Sequence, residues 1–329
     1  MAPYLTRAIR SLDDFYARGV LDSVRFDRTI DRIAATMEYA KGSIGHQGPS
    51  FLLPRRTPNL IWYEPQTTGG IYFQPASTLF ETGLYFSGST LPLDSVTRTA
   101  EAVWRYATFT EGTGASAGKR FPLWLYDFFW NGAGVPVTAP WKSGLAQGLA
   151  LSVFTNLYVR TKDTLWLSRA RQTALSMAVP WHEGGVLLVD AQGAWWEEYA
   201  PVTRIWNGNV FALLAVADYI KVNPSDTAMA ALYPKGLSAA RHYALEYDTG
   251  TWLRYSRNEA AINEGYRGIY VTLAHRLWLQ TGDPLWDQLA TKWNTYTNPA
   301  GNLIPLSQSV PSDLHSVLMT PPGAQPSHQ

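Results

Sequence analysis

One short motif occurs twice in the chain, and it constrains the fold more than any other feature. Residues Thr161–Trp166 read TKDTLW and residues Thr281–Trp286 read TGDPLW, and each copy lies between two segments of helical periodicity. In each copy the aspartate can cap the helix that follows, with Thr164 or Pro284 in the first helical turn. Two such helix boundaries with short loops predict antiparallel helical hairpins that pack side by side.

The chain downstream of Phe73 has the pattern of successive helices. The predicted helices are Pro75–Tyr85, Leu93–Phe109, Ser143–Arg160, Thr164–Ala178, Asn207–Val222, Thr227–Glu246 and Gly265–Gln280, after two N-terminal helices over Leu5–Tyr16 and Phe26–Met37. Repeated hairpins of this size usually close into an (α/α) toroid, although an open α-solenoid gives the same one-dimensional pattern. We therefore predict a mainly α fold, an (α/α) toroid with a small N-terminal β-rich element, and keep the solenoid as the alternative.

Composition divides the chain into four predicted parts. Residues 1–44 form a helical arm, and residues 45–74, rich in Gly, Pro and aromatic residues, form a small β-rich segment. Residues 75–297 form the toroid, which we expect to be the catalytic domain. Residues 298–329 have little periodicity and form a C-terminal tail.

Charge and cysteine content exclude several classes of function. The 329 residues include 27 Lys and Arg against 26 Asp and Glu, a net charge of +1, which is too small for a general nucleic-acid or membrane-surface binder. The chain contains no cysteine, which excludes disulfides, thiolate zinc sites and a cysteine nucleophile. It has no glycine-rich nucleotide loop and no histidine-rich metal spacing, so we expect neither a cofactor nor a catalytic metal.

The sequence says less about the compartment. No run approaches the roughly 20 apolar residues of a membrane span, and the start, MAPYLTRAIRSLDDFY, has no apolar signal-peptide region. We therefore expect a soluble protein with no signal peptide and no membrane insertion. Secreted, periplasmic and cytoplasmic locations all stay open, as does assembly into a homodimer.

Three stretches rich in rings and polar groups contain the candidate chemistry. The first, Trp195–Tyr199, has two indoles, two carboxylates and a phenol, and Asn207-Gly208 follows it. By pattern alone it also fits an ordinary helix start, with Asn207 as the cap and solvated glutamates. The second, Tyr247–Asn258, contains an Asp-Thr-Gly turn before an alternating segment, and the third is Asn263–Tyr270. A hairpin and core packing, respectively, would explain these two equally well.

Taken in order, these stretches resemble the C-terminal domain of the D-glucuronyl C5-epimerase family. The resemblance rests on Ser-x-x-x-Gln-Gly beginning at Ser143, on Glu-Glu-Tyr at 197–199 followed by Asn-Gly, and on Asp-Thr-Gly at 248–250 followed five residues later by Tyr255. It extends from about Tyr72 to Tyr296. It implies a helical toroid whose cleft binds a polyanionic uronate polysaccharide, such as heparosan, and converts D-glucuronate to L-iduronate.

The family's functional residues transfer to this chain by position. The resemblance implies that Glu198, Tyr199, Tyr255 and Tyr266 are catalytic, although the family's Asp-Tyr-His is here Gly265-Tyr266-Arg267. The substrate-binding residues expected around them are Lys142, which replaces a family tyrosine, together with Gln147, Arg204, Asn207 and Arg257.

These residue types suit inversion at C5. Removing the C5 proton builds a second negative charge on the neighbouring carboxylate, and cations such as Arg204, Arg254, Arg257 and Lys142 could neutralise it. Inversion needs a base on one ring face and an acid on the other. Two phenols can supply both if cations lower the pKa of one from its usual value near 10. We expect Tyr199 and Tyr255 in these roles, with Glu198 relaying a proton or holding the sugar.

Three other functions stay open. A polysaccharide lyase removes the same proton, but its usual Asn-His-Tyr set is not matched by any of His46, His182, His242, His275, His315 and His328. A glycoside hydrolase would need two separated carboxylates, such as Glu198 with Asp127 or Glu264. A non-catalytic carbohydrate-binding toroid would use the rings only for stacking. Family members can contain a structural calcium ion, and no ligand spacing here establishes one.

Overall fold

The computed structural model describes residues 2–40, 50–52, 60–63, 71–84, 86, 92–130, 135–199, 203–257, 262 and 264–297. The helices are α1 (Ala2–Ala17), α2 (Ser23–Ala40), α3 (Pro75–Leu84), α4 (Leu93–Arg105), α5 (Gly144–Thr161), α6 (Thr164–Ala178), α7 (Trp206–Val222), α8 (Thr227–Tyr247), α9 (Glu264–Thr281) and α10 (Pro284–Asn294). The strands are β1 (Ser50–Leu52), β2 (Ile61–Tyr63), β3 (Tyr72–Phe73), β4 (Thr108–Glu111), β5 (Arg120–Leu123), β6 (Leu187–Asp190) and β7 (Gly193–Trp196).

The helices pack in two layers. Helix α5 packs against α3, α6 and α7, helix α7 against α5, α8 and α9, and helix α9 against α7 and α10. Helices α3, α5, α7 and α9 therefore form an inner row, and each of α4, α6, α8 and α10 follows its inner partner in sequence on the outside. The prediction of a mainly α fold built from helical hairpins is confirmed, and this alternation is the arrangement of an (α/α) toroid.

The repeated motif forms the two helix starts that its sequence predicts. Asp163 accepts a hydrogen bond from Leu165 N at 2.9 Å, and Asp283 accepts one from Leu285 N at 3.0 Å. Helix α10 has Pro284 in its first turn, where the missing N–H costs nothing. The two aspartates therefore begin α6 and α10, both of which belong to the outer row.

Among the residues that the structure describes, the strands form three small antiparallel sheets. Strands β1, β2 and β3 pair in that order inside the predicted β-rich segment, and β6 pairs with β7 as a hairpin directly before the Glu-Glu-Tyr motif. The helix predicted over Leu93–Phe109 was too long. Helix α4 ends at Arg105, because residues 108–111 pair with β5 as strand β4 and the threonines there favour extended backbone.

Large rings fill the space between the helix layers. Trp124, Trp196 and Trp206 are almost completely buried, and each indole N–H donates to a backbone carbonyl, at 2.7, 2.9 and 2.9 Å respectively. A buried indole needs such an acceptor because an unpaired N–H in the core is costly. The high tryptophan content of the chain is thus largely a property of its core.

The N-terminal helices are fixed to the rest of the chain through α2. Arg28 Nη1 donates to Leu125 O at 3.2 Å, and Arg28 Nη2 lies 2.9 Å from Asp127 Oδ2. The Arg32 guanidinium stacks 3.7 Å from the centre of the Tyr72 ring in β3. The bounds of the four predicted parts stay predictions, and the predicted tail, 298–329, lies outside the described residues.

No helix in the described part of the chain has both the length and the apolar character that a bilayer crossing requires.

Candidate active site

The predicted catalytic side chains lie where the inner helices begin. Ala76 N in the first turn of α3 donates to Tyr126 Oη at 3.3 Å, and Ser143 caps α5 by accepting from Ala146 N at 3.4 Å. Gly208 in the first turn of α7 packs against Glu198, and Tyr266 in the first turn of α9 packs against Tyr255. Four helix N-termini, each with a partial positive charge, therefore surround one site.

Glu197, the first glutamate of the Glu-Glu-Tyr motif, organises the loop that follows it. Its buried carboxylate accepts from Thr203 Oγ1 at 2.6 Å and from Arg204 N at 3.1 Å, and its carbonyl accepts from Gly144 N at 2.7 Å. The Arg204 guanidinium lies 3.4 Å from Glu197 and 2.7 Å from Asp190. Burial raises the pKa of Glu197, and the Thr203 and Arg204 contacts oppose that rise.

Arg204 is therefore occupied by two carboxylates of the protein. It is 7% exposed. The sequence predicts that Arg204 binds substrate, but in the structure its guanidinium is already bound within the loop. We expect Arg204→Gln to lower the free energy of unfolding by about 3 to 5 kcal/mol, because it leaves Glu197 as a buried charge without its partner. Urea unfolding measures this loss, whereas a substrate-binding role would raise KM and leave stability unchanged.

Glu198 has the opposite environment. It is 5% exposed, and its Oε2 atom has no hydrogen-bond partner. Burial raises the pKa of Glu198 to about 8, against a hydrogen bond with Tyr199 that lowers it, and the neighbouring Glu197 raises it further. A carboxyl group with this pKa can gain or lose a proton near neutral pH, as a proton relay requires.

Gly208 of the Asn-Gly motif leaves the space that the Glu198 carboxyl occupies. A Cβ atom at Gly208 would lie 2.1 Å from Glu198 Oε2, so only glycine allows the carboxyl to lie against α7. We expect Gly208→Ala to reduce both stability and activity by displacing Glu198. The matched control is Gly83→Ala in α3, where a Cβ meets nothing within 4 Å, so this variant should gain roughly 0.5–1 kcal/mol of stability. Thermal unfolding of both variants tests this expectation. A Gly208→Ala variant that behaves like wild type would contradict it.

The three predicted tyrosines lie together beside Glu198. The hydroxyls of Tyr199 and Tyr255 are 3.3 Å apart, and the rings of Tyr255 and Tyr266 have centres 4.9 Å apart. Tyr270 in α9 donates to Tyr255 O at 3.2 Å and so fixes the loop that positions this phenol. The structure brings all four predicted catalytic residues into one cluster, which we call the tyrosine cluster: Glu198, Tyr199, Tyr255 and Tyr266.

The electrostatics of the two phenols differ from the expectation that cations lower one of them. Burial raises the pKa of both Tyr199 and Tyr255 well above the usual value, and the nearby Glu198 and Tyr266 raise both further. Besides burial, the groups that affect these two pKa values are Glu198 and the neighbouring tyrosines, while Arg204 is paired with Glu197 and Asp190. Both hydroxyls are therefore neutral in the free protein and suited to donate protons.

Aromatic residues that the sequence did not single out form a wall beside Tyr199. The rings of Trp141 and Trp130 have centres 5.7 and 6.1 Å from that of Tyr199. Tyr126 stacks on Trp141 at 3.8 Å, and its pKa is raised by burial and by Glu198. The alternation of rings at 124, 126, 128 and 130 was the signal, since it predicts an extended segment with one aromatic face.

The structure does not bring Lys142 and Gln147 to the tyrosine cluster. Gln147 is buried and donates to Pro122 O at 2.8 Å and Ser176 Oγ at 2.6 Å, so its amide bridges the core. Lys142 Nζ donates to Trp181 O at 2.8 Å, and burial lowers its pKa to about 8. Successive side chains of an extended segment point to opposite sides, so Trp141 faces Tyr199 and Lys142 faces away.

The other two predicted substrate-binding residues lie closer to the loop motifs. Asn207 is the second residue of α7, which begins after Ile205, so it is not the helix cap that the pattern allowed. Its Oδ1 atom is buried without a hydrogen-bond partner. Arg257 is exposed, and its guanidinium donates to Tyr243 Oη at 2.8 Å.

The structure describes some of the groups that the rival functions would require. Among the histidines in the described residues, His182, His242 and His275 each lie beside a surface carboxylate, of Glu183, Glu246 and Asp287 respectively. Asp127 is paired with Arg28, and the Glu264 side chain lies outside the described residues. Within the part of the chain that is described, no group of three or more His, Asp or Glu side chains could hold a metal ion.

Sequence comparison agrees with these motifs. The family model described as D-glucuronyl C5-epimerase C-terminus matches residues 119–295, which is more than half of the chain and includes the whole tyrosine cluster. The chain belongs to the D-glucuronyl C5-epimerase family. Helices α1 to α4 and strands β1 to β4 precede the region that the family model matches.

A curated relative in this family is the D-glucuronyl C5-epimerase of Caenorhabditis elegans. It is 24% identical over 176 residues, which cover 47% of this chain and 29% of the worm protein. The chain thus matches less than a third of the length of that relative, so the relative's activity is not transferred by the match alone.

Two solved structures are distantly similar in shape. A sugar epimerase from a ruminal bacterium aligns with a TM-score of 0.48 and 11% identity, over 88% of this chain and 73% of its own. A GH76 α-mannanase from Bacteroides thetaiotaomicron aligns with a TM-score of 0.41 and 13% identity, over 66% of this chain and 59% of its own. At such scores neither neighbour bears on the activity of this family member.

Proposed function

We propose that this protein is a uronate C5-epimerase that converts D-glucuronate to L-iduronate within a glucuronate-containing polymer such as heparosan. The observation that supports the proposal most is the pair of tyrosine hydroxyls, 3.3 Å apart, with a carboxyl of pKa about 8 beside them. Family membership agrees with it. Two phenols and one ionisable carboxyl can supply the base and the acid that inversion at a carbon acid requires.

The proton chain can complete a full cycle. Ionised Glu198 takes the Tyr199 hydroxyl proton while Tyr199 takes the C5 proton, and the C–H electron pair moves into the enolate of the sugar carboxylate. Tyr255 then donates its hydroxyl proton to the opposite face of C5. Once the product leaves and the two hydroxyls are again in contact, the hydrogen bonds from Glu198 through Tyr199 to Tyr255 return a proton to Tyr255. One proton leaves C5 and one arrives, so no other reactant is consumed.

This order explains how phenols of raised pKa can act in the reaction. A free phenolate at Tyr199 would be costly in a buried site. Glu198 takes the Tyr199 hydroxyl proton in the same step. The negative charge therefore moves from the Glu198 carboxylate to the substrate, and Tyr199 does not become a phenolate. The rate should therefore rise with pH as Glu198 ionises, through a midpoint near pH 8.

Elimination by a lyase is the alternative, since it begins with the same proton removal. The described histidines, His182, His242 and His275, pair with carboxylates outside the tyrosine cluster, whereas the cluster holds two phenols, one to remove the proton and one to return it. The test is incubation of heparosan in deuterated water. We expect deuterium at C5 by NMR with no growth of the unsaturated-uronate absorbance, and growth at a rate equal to exchange would assign a lyase.

A further inference from the structure

Helix α2 turns its arginines inward and its apolar side chains outward. Arg25, Arg28 and Arg32 are almost completely buried. Phe26 and Ile30, on the other side of the helix, are 47 and 45% exposed. Large apolar residues are commonly buried and arginines are commonly exposed, so this helix has the reverse of the usual arrangement. Contact of the apolar side with water is unfavourable, and it points to a partner that covers this side.

Apolar residues form a stripe of the same spacing on each of the two N-terminal helices. They recur at steps of four, three and four residues, which is the spacing of a seam between packed helices. Five of the eight residues are 40 to 78% exposed, and the other three are half-buried. The stripe of α1 is Leu5, Ile9, Leu12 and Tyr16, and the stripe of α2 is Phe26, Ile30, Ile33 and Met37.

Both stripes lie on the same side of the α1–α2 hairpin. Arg32 Nη1 donates to Ser11 Oγ at 2.8 Å. The Arg25 guanidinium lies 6.0 Å from the centre of the Phe15 ring, so the two helices run antiparallel and meet along these residues. At about 100° per residue, each stripe lies roughly a third of a turn from this contact, in the same sense along both helices. The toroid contacts α2 from the opposite side, through Arg28.

The eight stripe residues thus form one apolar surface that points away from the toroid, which we call the hairpin face. The charged residues nearest to the stripes around each helix are Asp13 and Asp27. Helices that bind anionic lipid carry Lys or Arg in such places, so the acidic surroundings favour a protein partner. The exposed side chains together present on the order of 600 Å², which approaches the roughly 800 Å² that each partner buries in a standard-size interface.

We propose that the hairpin face is a dimer interface, at which a second copy of this chain packs its own α1 and α2 to complete a four-helix bundle. Two copies related by a two-fold axis present the same face to each other, as an isologous interface requires. Both helices precede residues 119–295, so the surface lies outside the region that the family model matches. The proposal does not depend on the proposed reaction.

Sedimentation equilibrium of the whole chain and of two charge variants tests the interface. We expect wild type to dimerise with a Kd below about 10 μM. Ile30→Glu places a charge inside the dimer interface and should raise the Kd at least about 100-fold. Leu279→Glu is the matched control, since this exposed leucine lies in α9, and its Kd should equal that of wild type.

Two results would overturn the proposal. One is a wild-type protein that stays monomeric up to about 100 μM. The other is a dimer whose Kd is the same in Ile30→Glu and wild type, because its interface would then lie elsewhere. If circular dichroism shows that Ile30→Glu does not fold, Tyr16→Lys puts a charge on the same face at a side chain that is 78% exposed. An unchanged Kd in that variant also overturns the proposal.

Discussion

Replacing either Tyr199 or Tyr255 with phenylalanine should abolish net inversion at C5 while leaving the fold intact. Each loss is expected to be about 10² to 10⁴-fold, the usual contribution of a positioned acid or base. The two hydroxyls lie 3.3 Å apart, so each substitution breaks the proton chain at a different point. Deletion of one hydroxyl changes almost no buried volume, and circular dichroism should be unchanged.

The exchange pattern of the two variants carries more information than their rates. A surviving phenol can remove and return a proton on its own ring face only while it keeps its path to Glu198. Tyr255→Phe keeps the Glu198–Tyr199 pair and is therefore expected to exchange deuterium into glucuronate, whereas Tyr199→Phe separates Tyr255 from Glu198 and should exchange neither epimer, measured by NMR on polymers rich in each epimer. Tyr233→Phe, a half-buried tyrosine in α8, is the control, and wild-type inversion in Tyr199→Phe or Tyr255→Phe would remove that residue from the mechanism.

Glu198→Gln should change both the rate and the pH dependence of stability. The amide cannot accept a proton, so the rate should fall about 10² to 10⁴-fold and lose its rise near pH 8. Burial raises the pKa of Glu198 to about 8 in the folded protein, whereas an unfolded chain has a glutamate pKa near about 4.3. Between these values the unfolded state releases a proton that the folded state keeps.

The sign of the stability change follows from this difference. The contribution of Glu198 is fully present below about pH 4 and is lost as pH rises to about 8, by up to about 5 kcal/mol. Glu198→Gln does not titrate, so its melting temperature should exceed that of wild type at pH 9 and not at pH 4. Glu197 also has a raised pKa, and it is present in both proteins.

Glu183→Gln supplies a control of opposite sign. A hydrogen bond from Ser116 lowers the pKa of Glu183, so wild type should gain stability relative to this variant as pH rises through the acid range. Thermal unfolding of wild type, Glu198→Gln and Glu183→Gln, measured over the same series of pH values, distinguishes the two opposite pH dependences. A Glu198→Gln curve parallel to that of wild type from pH 4 to pH 9 would mean that Glu198 titrates as an ordinary exposed glutamate.

Local sequence signals were sufficient where the structure depends on local chemistry. The two aspartate-capped helix starts, at Asp163 and Asp283, and the bounds of α6, Thr164–Ala178, follow directly from periodicity and capping. The end of α4 did not follow, because residues 108–111 pair with β5, which lies farther along the chain. The β6–β7 hairpin was missed, since its rings face the helix layers and their pattern resembles any buried run.

For the candidate site too, part follows from sequence motifs and part is decided by the fold. The motifs identified Glu198, Tyr199, Tyr255 and Tyr266 from the sequence, and the fold brings these residues together from three separate loops and helix starts. Residue type alone does not distinguish Glu197 from Glu198, and only the family resemblance selected Glu198. The structure shows that Glu197 is paired with an arginine and that Glu198 is not. That difference depends on neighbours distant in the chain.

By itself, then, the sequence determined the helical hairpins, the family and the identity of the clustered side chains, because these depend on periodicity, capping and motif spacing. Only the tertiary structure decided which polar and charged side chains are already bound to other groups of the protein. It paired Arg204 with Asp190 and Glu197, buried Gln147 in the core and turned Lys142 away from Tyr199. It also placed the uncapped start of α7 beside Glu198. Burial and charge pairing depend on residues that only folding brings within a few ångströms, and no linear pattern records them.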